Sequence, residues 1–211
     1  MVIVVKSGSR EALRLAGMAL EGGLAIVYPT DTVYGIGVDA RSEDAVGRIF
    51  EMKGRGKGKP ISIAVADIKM MERQAGMSVL AKKFAKALLP GPYTFVLRMK
   101  KGAGLANNLV EGEKIGVRIP DDEFCRALLK KIKFPITSTS ANLSGGRAPA
   151  LVEEIEKSIA EKAALLVDGG ECGLKEGSTV IDFTGAGPVV LRKGAGYGRF
   201  LEVQKELLRR A

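Results

Sequence analysis

The sequence predicts an α/β fold in one domain, and three observations carry that expectation. Short apolar runs rich in β-branched residues alternate with stretches of helical period, as strands alternating with packed helices require. The 211 residues exceed a typical domain of about 150 but stay within the range of single α/β domains, and 46% hydrophobic content is ample for one core. No low-complexity linker, internal repeat or heptad run interrupts the chain.

In chain order, VIVV at 2–5 reads as the first strand, and residues 10–21 as a helix of apolar period. LAIVY at 24–28 is the second strand. The helix expected over 43–52 has the clearest local signals. Ser42 can accept from an exposed amide, Glu43 and Asp44 suit the positive dipole end, and Ala45, Val46, Ile49 and Phe50 form one apolar face. Gly54 can stop it. ISIAV at 61–65 is a strand, followed by helices over 67–74 and 79–88. Pro90-Gly91-Pro92 must end the second of these, because proline neither donates an amide bond nor permits αR geometry before it. Strands follow at 93–99 and 115–119, a helix over 121–131, a strand at 135–139, a helix over 152–162, and strands at 164–167, 179–183 and 189–192.

Composition excludes several chemistries. Histidine is absent, so Ser-His-Asp triads, Cys-His dyads and histidine-ligated zinc are ruled out by inventory. Cys125 and Cys172 are too few for a disulfide framework and lack metal-site spacing, so both read as buried or incidental thiols. No leader and no run of about 18 apolar residues is found, and a cytoplasmic location without membrane contact is expected. A net charge of +9 favours anionic partners, although solvated lysines account for it as well.

Three constellations can carry chemistry. YPTDTVYG at 28–35 gathers the hydroxyls of Thr30, Thr32 and Tyr34 at a strand end, where they can grip a small polar substrate. Read alone, it is more simply an ST-turn with a tyrosine lid. KGRGKGKP at 53–60 alternates four cations with three glycines, which suits close approach to phosphates. It is not a Walker A loop, since three residues separate Gly54 from Gly58 and Pro60 follows Lys59. A solvated or RNA-contacting loop explains its composition equally well. PITSTSANLSGG at 135–146 runs from a strand into a turn whose Ser138, Ser140, Asn142 and Ser144 are costly to bury unpaired, which favours a ligand. Arg118 and Arg192 lie at strand ends, and each alone reads as a surface arginine.

Together with the Lys53-x-Arg55 pair, PGPYTFVL, VRIP, the Ser140-x-Asn142 pair and GSTVIDF, these elements give the chain, from Leu24 to about Arg192, a resemblance to the YrdC/TsaC family of threonylcarbamoyl-AMP synthases. The resemblance implies a twisted, open, mixed β-sheet with surrounding helices and a basic concave cleft. It implies synthesis of threonylcarbamoyl-AMP and pyrophosphate from L-threonine, bicarbonate and ATP, for modification of the tRNA adenosine beside the anticodon. By position, Lys53, Arg55, Ser140 and Asn142 are the implied catalytic tetrad. Thr32, Arg118, Ser138 and Ser178 are the implied threonine ligands. Arg55, Lys59, Lys114, Ser140, Ala148 and Arg192 are implied to hold ATP, which is a substrate here.

Arg118 is expected to grip the amino-acid carboxylate by a bidentate fork. Magnesium is expected to bridge the phosphates with few protein carboxylates, Asp31 and Asp182 being weak candidates and no protein metal site being expected. Lys53 and Arg55 are expected to be exposed loop cations whose loss slows turnover at least about tenfold while folding barely changes. Ala64 stands where some relatives carry a histidine. The chain ends 19 residues after Arg192, too few for the C-terminal domain of other relatives, so any lid is expected to be shorter. RNA or tRNA affinity and contact with a tRNA threonylcarbamoyl transferase complex are further implied partners. The competing readings are a non-catalytic RNA-binding protein and a YciO-like paralogue.

Overall fold

The computed structural model describes residues 2–54, 56, 60–110 and 112–209, so the expectations for Arg55 and Lys59 lie outside the described residues. The strands are β1 (Ile3–Lys6), β2 (Ile26–Tyr28), β3 (Gly35–Gly37), β4 (Ser62–Ala64), β5 (Ala75–Gly76), β6 (Tyr93–Met99), β7 (Lys114–Arg118), β8 (Ile136–Ser140), β9 (Leu165–Asp168), β10 (Thr179–Asp182) and β11 (Val189–Arg192). The helices are α1 (Arg10–Glu21), α2 (Glu43–Met52), α3 (Ile68–Gln74), α4 (Val79–Leu88), α5 (Glu123–Ile132), α6 (Lys157–Ala160) and α7 (Tyr197–Leu208). No helix among the described residues is long and apolar enough to cross a membrane.

All strands join one open, mixed sheet in the order β1-β9-β2-β3-β8-β4-β7-β6-β10-β11, with β5 pairing β6. β1/β9, β9/β2, β4/β7 and β6/β10 run parallel and the remaining pairs antiparallel. This order places six strands, β8-β4-β7-β6-β10-β11, side by side next to β3. Residues that are far apart in sequence therefore meet on one stretch of sheet.

Local chemistry sets the helix ends as the sequence indicates. Ser42 caps α2 by accepting from the Ala45 amide at 3.2 Å, and Ser9, Asp67, Ser78 and Asp122 cap α1, α3, α4 and α5 in the same way. Gly54 takes φ 56°, a left-handed conformation natural to glycine, and the chain leaves α2 there. α4 stops at Leu88 before the Pro-Gly-Pro run. Phe84 of α4 packs on Phe183 and on Phe200 of α7, with centroids 5.3 and 5.7 Å apart, and Phe95 meets Phe183 at 4.5 Å.

Four elements depart from the sequence expectation. The helix expected over 152–162 is a 3-10 turn, Val152–Glu154, and the single-turn α6, separated by extended Ile155 and Glu156. Its carboxylates are used elsewhere: Glu154 Oε2 accepts from the Ala150 amide at 2.6 Å, and Glu156 Oε1 from the Leu143 amide at 3.0 Å. The Glu154 bond caps the start of the 3-10 turn, whereas the Glu156 bond ties an extended residue to the turn after β8, where the helix is interrupted. β3, β5 and α7 are not among the elements the sequence predicts. α7 starts in a glycine-rich segment and is held by buried Phe200 and Val203 rather than by a start signal.

Candidate functional site

A cavity of about 510 Å³ lies over the β3-to-β11 stretch of the sheet. Thr32 reaches it from the β2–β3 loop, Arg118 from the end of β7, Ser138 and Ser140 from β8, Ala148 from the loop beyond, Ser178 from the approach to β10, and Arg192 from the end of β11. All four residues expected around threonine, and three of those expected around ATP, thus share one space. The lining also includes Thr94, Ser62, Thr139, Lys193 and Glu176, which the sequence reading did not single out. Thr94 carried a usable signal: its hydroxyl breaks an otherwise apolar start of β6, on the face opposite Tyr93, Phe95 and Leu97.

Arg118 is buried and its bonds are specific. Nη2 donates to Asp31 Oδ1 at 3.0 Å and to Thr32 Oγ1 at 2.9 Å, while Nε is buried without a partner. Both hydrogens of Nη2 are therefore committed within the protein. The two-nitrogen fork expected for a carboxylate is not available in this arrangement. Nη1 is the terminal nitrogen left for a ligand.

Arg192 is engaged in the same manner. Its Nε and Nη2 donate to the Ser178 carbonyl at 3.1 and 2.8 Å, and Nη2 also reaches Ser178 Oγ at 3.1 Å. Ser178 Oγ in turn bonds Thr94 Oγ1 at 2.8 Å. Burial, joined by the neighbouring Arg118 charge, pulls the Arg192 guanidinium below its ordinary value. Arg118, Arg192 and Lys193 stand against one lining carboxylate, Glu176, which suits an anionic ligand.

Lys53 corrects an expectation. It is 2% exposed rather than an exposed loop cation, and it does not line the cavity. Nζ donates to the carbonyls of Ser140 and Asn142, the latter at 2.7 Å, and the Ser144 amide donates to the Lys53 carbonyl at 2.9 Å. The end of α2 is thereby stapled to the turn after β8. Asn142 is also buried behind that wall: its Nδ2 donates to the Leu143 and Gly146 carbonyls at 2.6 and 2.8 Å, and Oδ1 has no partner.

Lys114 is likewise not brought to the cavity. It is exposed and reaches across β6 to Asp182 Oδ2 at 2.9 Å. Asp31 and Asp182, the carboxylates considered for magnesium, each face a cation, Arg118 and Lys114. Among the described residues no group of three or more histidine, cysteine or acidic side chains could hold a metal ion. Ala64 is fully buried in register with Arg118. Tyr34 is no lid: its hydroxyl donates to the Gly170 carbonyl and accepts from the Gly169 amide. Cys125 and Cys172 are both buried and free, and burial pushes the Cys172 thiol up to about 11.

The Sua5/YciO/YrdC family model, described as telomere recombination, matches residues 18–194. A Bacillus subtilis protein named threonylcarbamoyl-AMP synthase is 36% identical over 181 residues, which are 85% of this chain and 52% of that protein. The crystal structure of Pyrococcus abyssi Sua5 complexed with L-threonine superposes with a TM-score of 0.84 at 34% identity, covering 92% of this chain and 57% of that one. The crystal structure of Escherichia coli YciO gives a TM-score of 0.82 at 28% identity, covering 92% and 95%. The chain spans about half the length of the B. subtilis and P. abyssi relatives.

Proposed function

Since the chain belongs to the Sua5/YciO/YrdC family, we propose that it is a threonylcarbamoyl-AMP synthase, a nucleotidyltransferase that makes threonylcarbamoyl-AMP and pyrophosphate from L-threonine, bicarbonate and ATP. The product serves the threonylcarbamoyl modification of tRNA adenosine beside the anticodon. The observation that carries this reading is the single cavity shared by Thr32, Arg118, Ser138, Ser178, Ser140, Ala148 and Arg192. The synthase relatives are closer in sequence than YciO, at 36% and 34% against 28% identity, which favours this reading over a YciO-like paralogue.

The reaction suits a chain without histidine. The neutral amine of threonine is itself a nucleophile toward carbon dioxide, and an oxygen of the resulting carbamate can displace pyrophosphate at the α-phosphorus. No enzymic nucleophile is required. What the protein must supply is position and compensation of negative charge. Arg118 Nη1 would face the amino-acid carboxylate, and Arg192 with Lys193 would face phosphate. Lys53 and Asn142 act by holding the Ser140 turn that forms one wall. Among the described residues the carboxylates do not fit a protein-held magnesium site, and magnesium would arrive on the ATP phosphates.

The test is to incubate the purified protein with labelled threonine, bicarbonate, ATP and magnesium and to look for a threonylcarbamoyl adenylate. Formation of the adenylate with stoichiometric pyrophosphate is the expected result. ATP turnover that is independent of threonine would overturn the reading.

A further inference from the structure

Arg118 and Asp31 make an ion pair that leaves both partners incompletely bonded. Nη2 gives its two hydrogens to Asp31 Oδ1 at 3.0 Å and to Thr32 Oγ1 at 2.9 Å. Among the described residues Arg118 Nε and Asp31 Oδ2 are buried and have no partner. Buried polar atoms without partners are costly, so the pair falls short of its best bonding. Asp31 also has space on its far side. Arg118 lines the large cavity, while Asp31 lines a second cavity of about 370 Å³ together with Asp121, Asp122, Glu171 and Cys172. The Asp31 carbonyl accepts from the Leu174 amide at 3.2 Å, which holds the backbone, so a change at Asp31 is a rotation of its side chain.

A substrate carboxylate brings a conflict to this place. Meeting Nη1 first, it would put a second carboxylate on one buried guanidinium, and two carboxylates that share a site do not both stay ionised. Arg192, the other guanidinium of the cavity, already gives Nε and Nη2 to the Ser178 carbonyl. The substrate also has the better fit. A carboxylate entering from the large cavity can take Nη1 and Nη2 together in the planar fork, whereas Asp31 holds one nitrogen through one oxygen.

We propose that Asp31 is a specificity-determining positioning residue: it occupies the carboxylate position on Arg118 Nη2 and is displaced toward the neighbouring cavity by a substrate carboxylate. The inference rests on the synthase reading, and it restores the two-nitrogen fork that the present arrangement withholds. Burial raises the Asp31 carboxyl above its ordinary value, the Arg118 charge opposes the rise, and Asp121 adds to it. Turned away from Arg118 and toward Asp121, Asp122 and Glu171, the carboxyl takes up a proton rather than carrying a buried charge. A ligand without a carboxylate cannot make the exchange.

The experiment compares L-threonine with L-threoninol, which keeps the amine and the hydroxyl but has an alcohol in place of the carboxylate. Both are titrated calorimetrically into the wild-type protein, Asp31→Ala and Asp31→Asn, with a non-hydrolysable ATP analogue present. If Asp31 did no more than orient Arg118, its removal would weaken threonine binding. A residue that competes with the substrate does the opposite. Threonine should bind Asp31→Ala at least about tenfold more tightly than wild type, and Asp31→Asn more tightly to a smaller extent, while threoninol gains little. If Asp31→Ala fails to fold, Asp31→Asn, which keeps an acceptor for Nη2, decides the sign. Threonine affinity that is unchanged or weaker in the folded variants, or an equal gain for threoninol, overturns the inference and leaves the synthase reading intact. A wild-type protein that binds no threonine overturns the synthase reading, and this inference with it.

Discussion

Arg118 and Asp31 form a buried ion pair, Nη2 to Oδ1 at 3.0 Å with side chains 9% and 7% exposed, that stands between two cavities. Arg118 lines the large one, and Asp31 lines a neighbour of about 370 Å³ shared with Asp121 and Asp122. Attraction between the partners does not recover what burial costs the carboxyl. Desolvation lifts the Asp31 carboxyl above its ordinary value despite the adjacent guanidinium, and Oδ2 has no partner. Such a pair is kept for the site it shapes rather than for net stability.

Asp31→Ala should cost about 3–5 kcal/mol in urea unfolding, because it leaves Arg118 buried and uncompensated. Asp31→Asn, which preserves an acceptor for Nη2, should cost less. The two forms also separate with pH. A carboxyl with a raised folded value contributes stability that is fully present below its unfolded range and is lost as pH rises through the folded one. Wild type should therefore compare best with Asp31→Asn in acid and worst near neutrality. A difference that stays flat from about pH 3 to 7 would show that Asp31 does not titrate as its burial requires.

Lys53 gives a stability prediction opposite in sense to the one its sequence context invites. Lys53→Met removes the charged donor from two inward-facing carbonyls, Ser140 and Asn142, and should destabilise the protein by about 2 kcal/mol or more. Turnover should fall as well, since the Ser140 wall loses its staple. Urea unfolding alongside pyrophosphate release decides the point. Wild-type stability with slow turnover would restore Lys53 to a purely chemical role.

Much of the fold is legible in the sequence because its signals are local. α1, α2, α4, β6 and β11 have the bounds that apolar period, caps and breakers indicate. β3 is hidden for a physical reason. Its Gly35 and Gly37 supply no strand propensity, and they are glycine because the Tyr28 ring lies against them, with a Cβ on Gly37 falling 2.9 Å from Tyr28 Cε1. The break in the helix at 152–162 falls at Glu156, whose carboxylate is held by the Leu143 amide, a contact that periodicity cannot tell. At the site, motif positions named seven of the residues that line the cavity, Thr32, Arg118, Ser138, Ser140, Ala148, Ser178 and Arg192. Their committed hydrogens, the burial of Lys53 and the outward turn of Lys114 are tertiary facts.

RNA affinity, if the protein has it, should be electrostatic and indifferent to sequence. The chain carries a net charge of +9, yet its seven phenylalanines and three of its four tyrosines are buried, so no aromatic platform is left for stacked bases. With Z phosphate contacts, the logarithm of affinity should fall against the logarithm of salt with a slope of about −0.7Z to −0.9Z. Filter binding of unrelated duplexes and single strands across a salt series would measure it. A strong preference for one sequence, or affinity that ignores salt, would overturn this expectation.

Arg192 offers the sharpest separation between a phosphate contact and a positioning role. Its Nε and Nη2 both hold the Ser178 carbonyl, Nη2 also holds the Ser178 hydroxyl, and that hydroxyl is bonded to Thr94. Only Nη1 is left to meet a nucleotide. Arg192→Lys keeps the positive charge but cannot reproduce a planar two-nitrogen grip on one carbonyl. Its effect should therefore appear on the threonine side. The KM for threonine should rise about tenfold, equivalent to roughly 1.4 kcal/mol, while the KM for ATP changes less. Arg192→Ala, which removes the charge as well, should raise both. Pyrophosphate release measured against each substrate in turn distinguishes these outcomes. A lysine variant that disturbs only the ATP dependence would mean that Ser178 is held without Arg192, and that the guanidinium serves the phosphates alone.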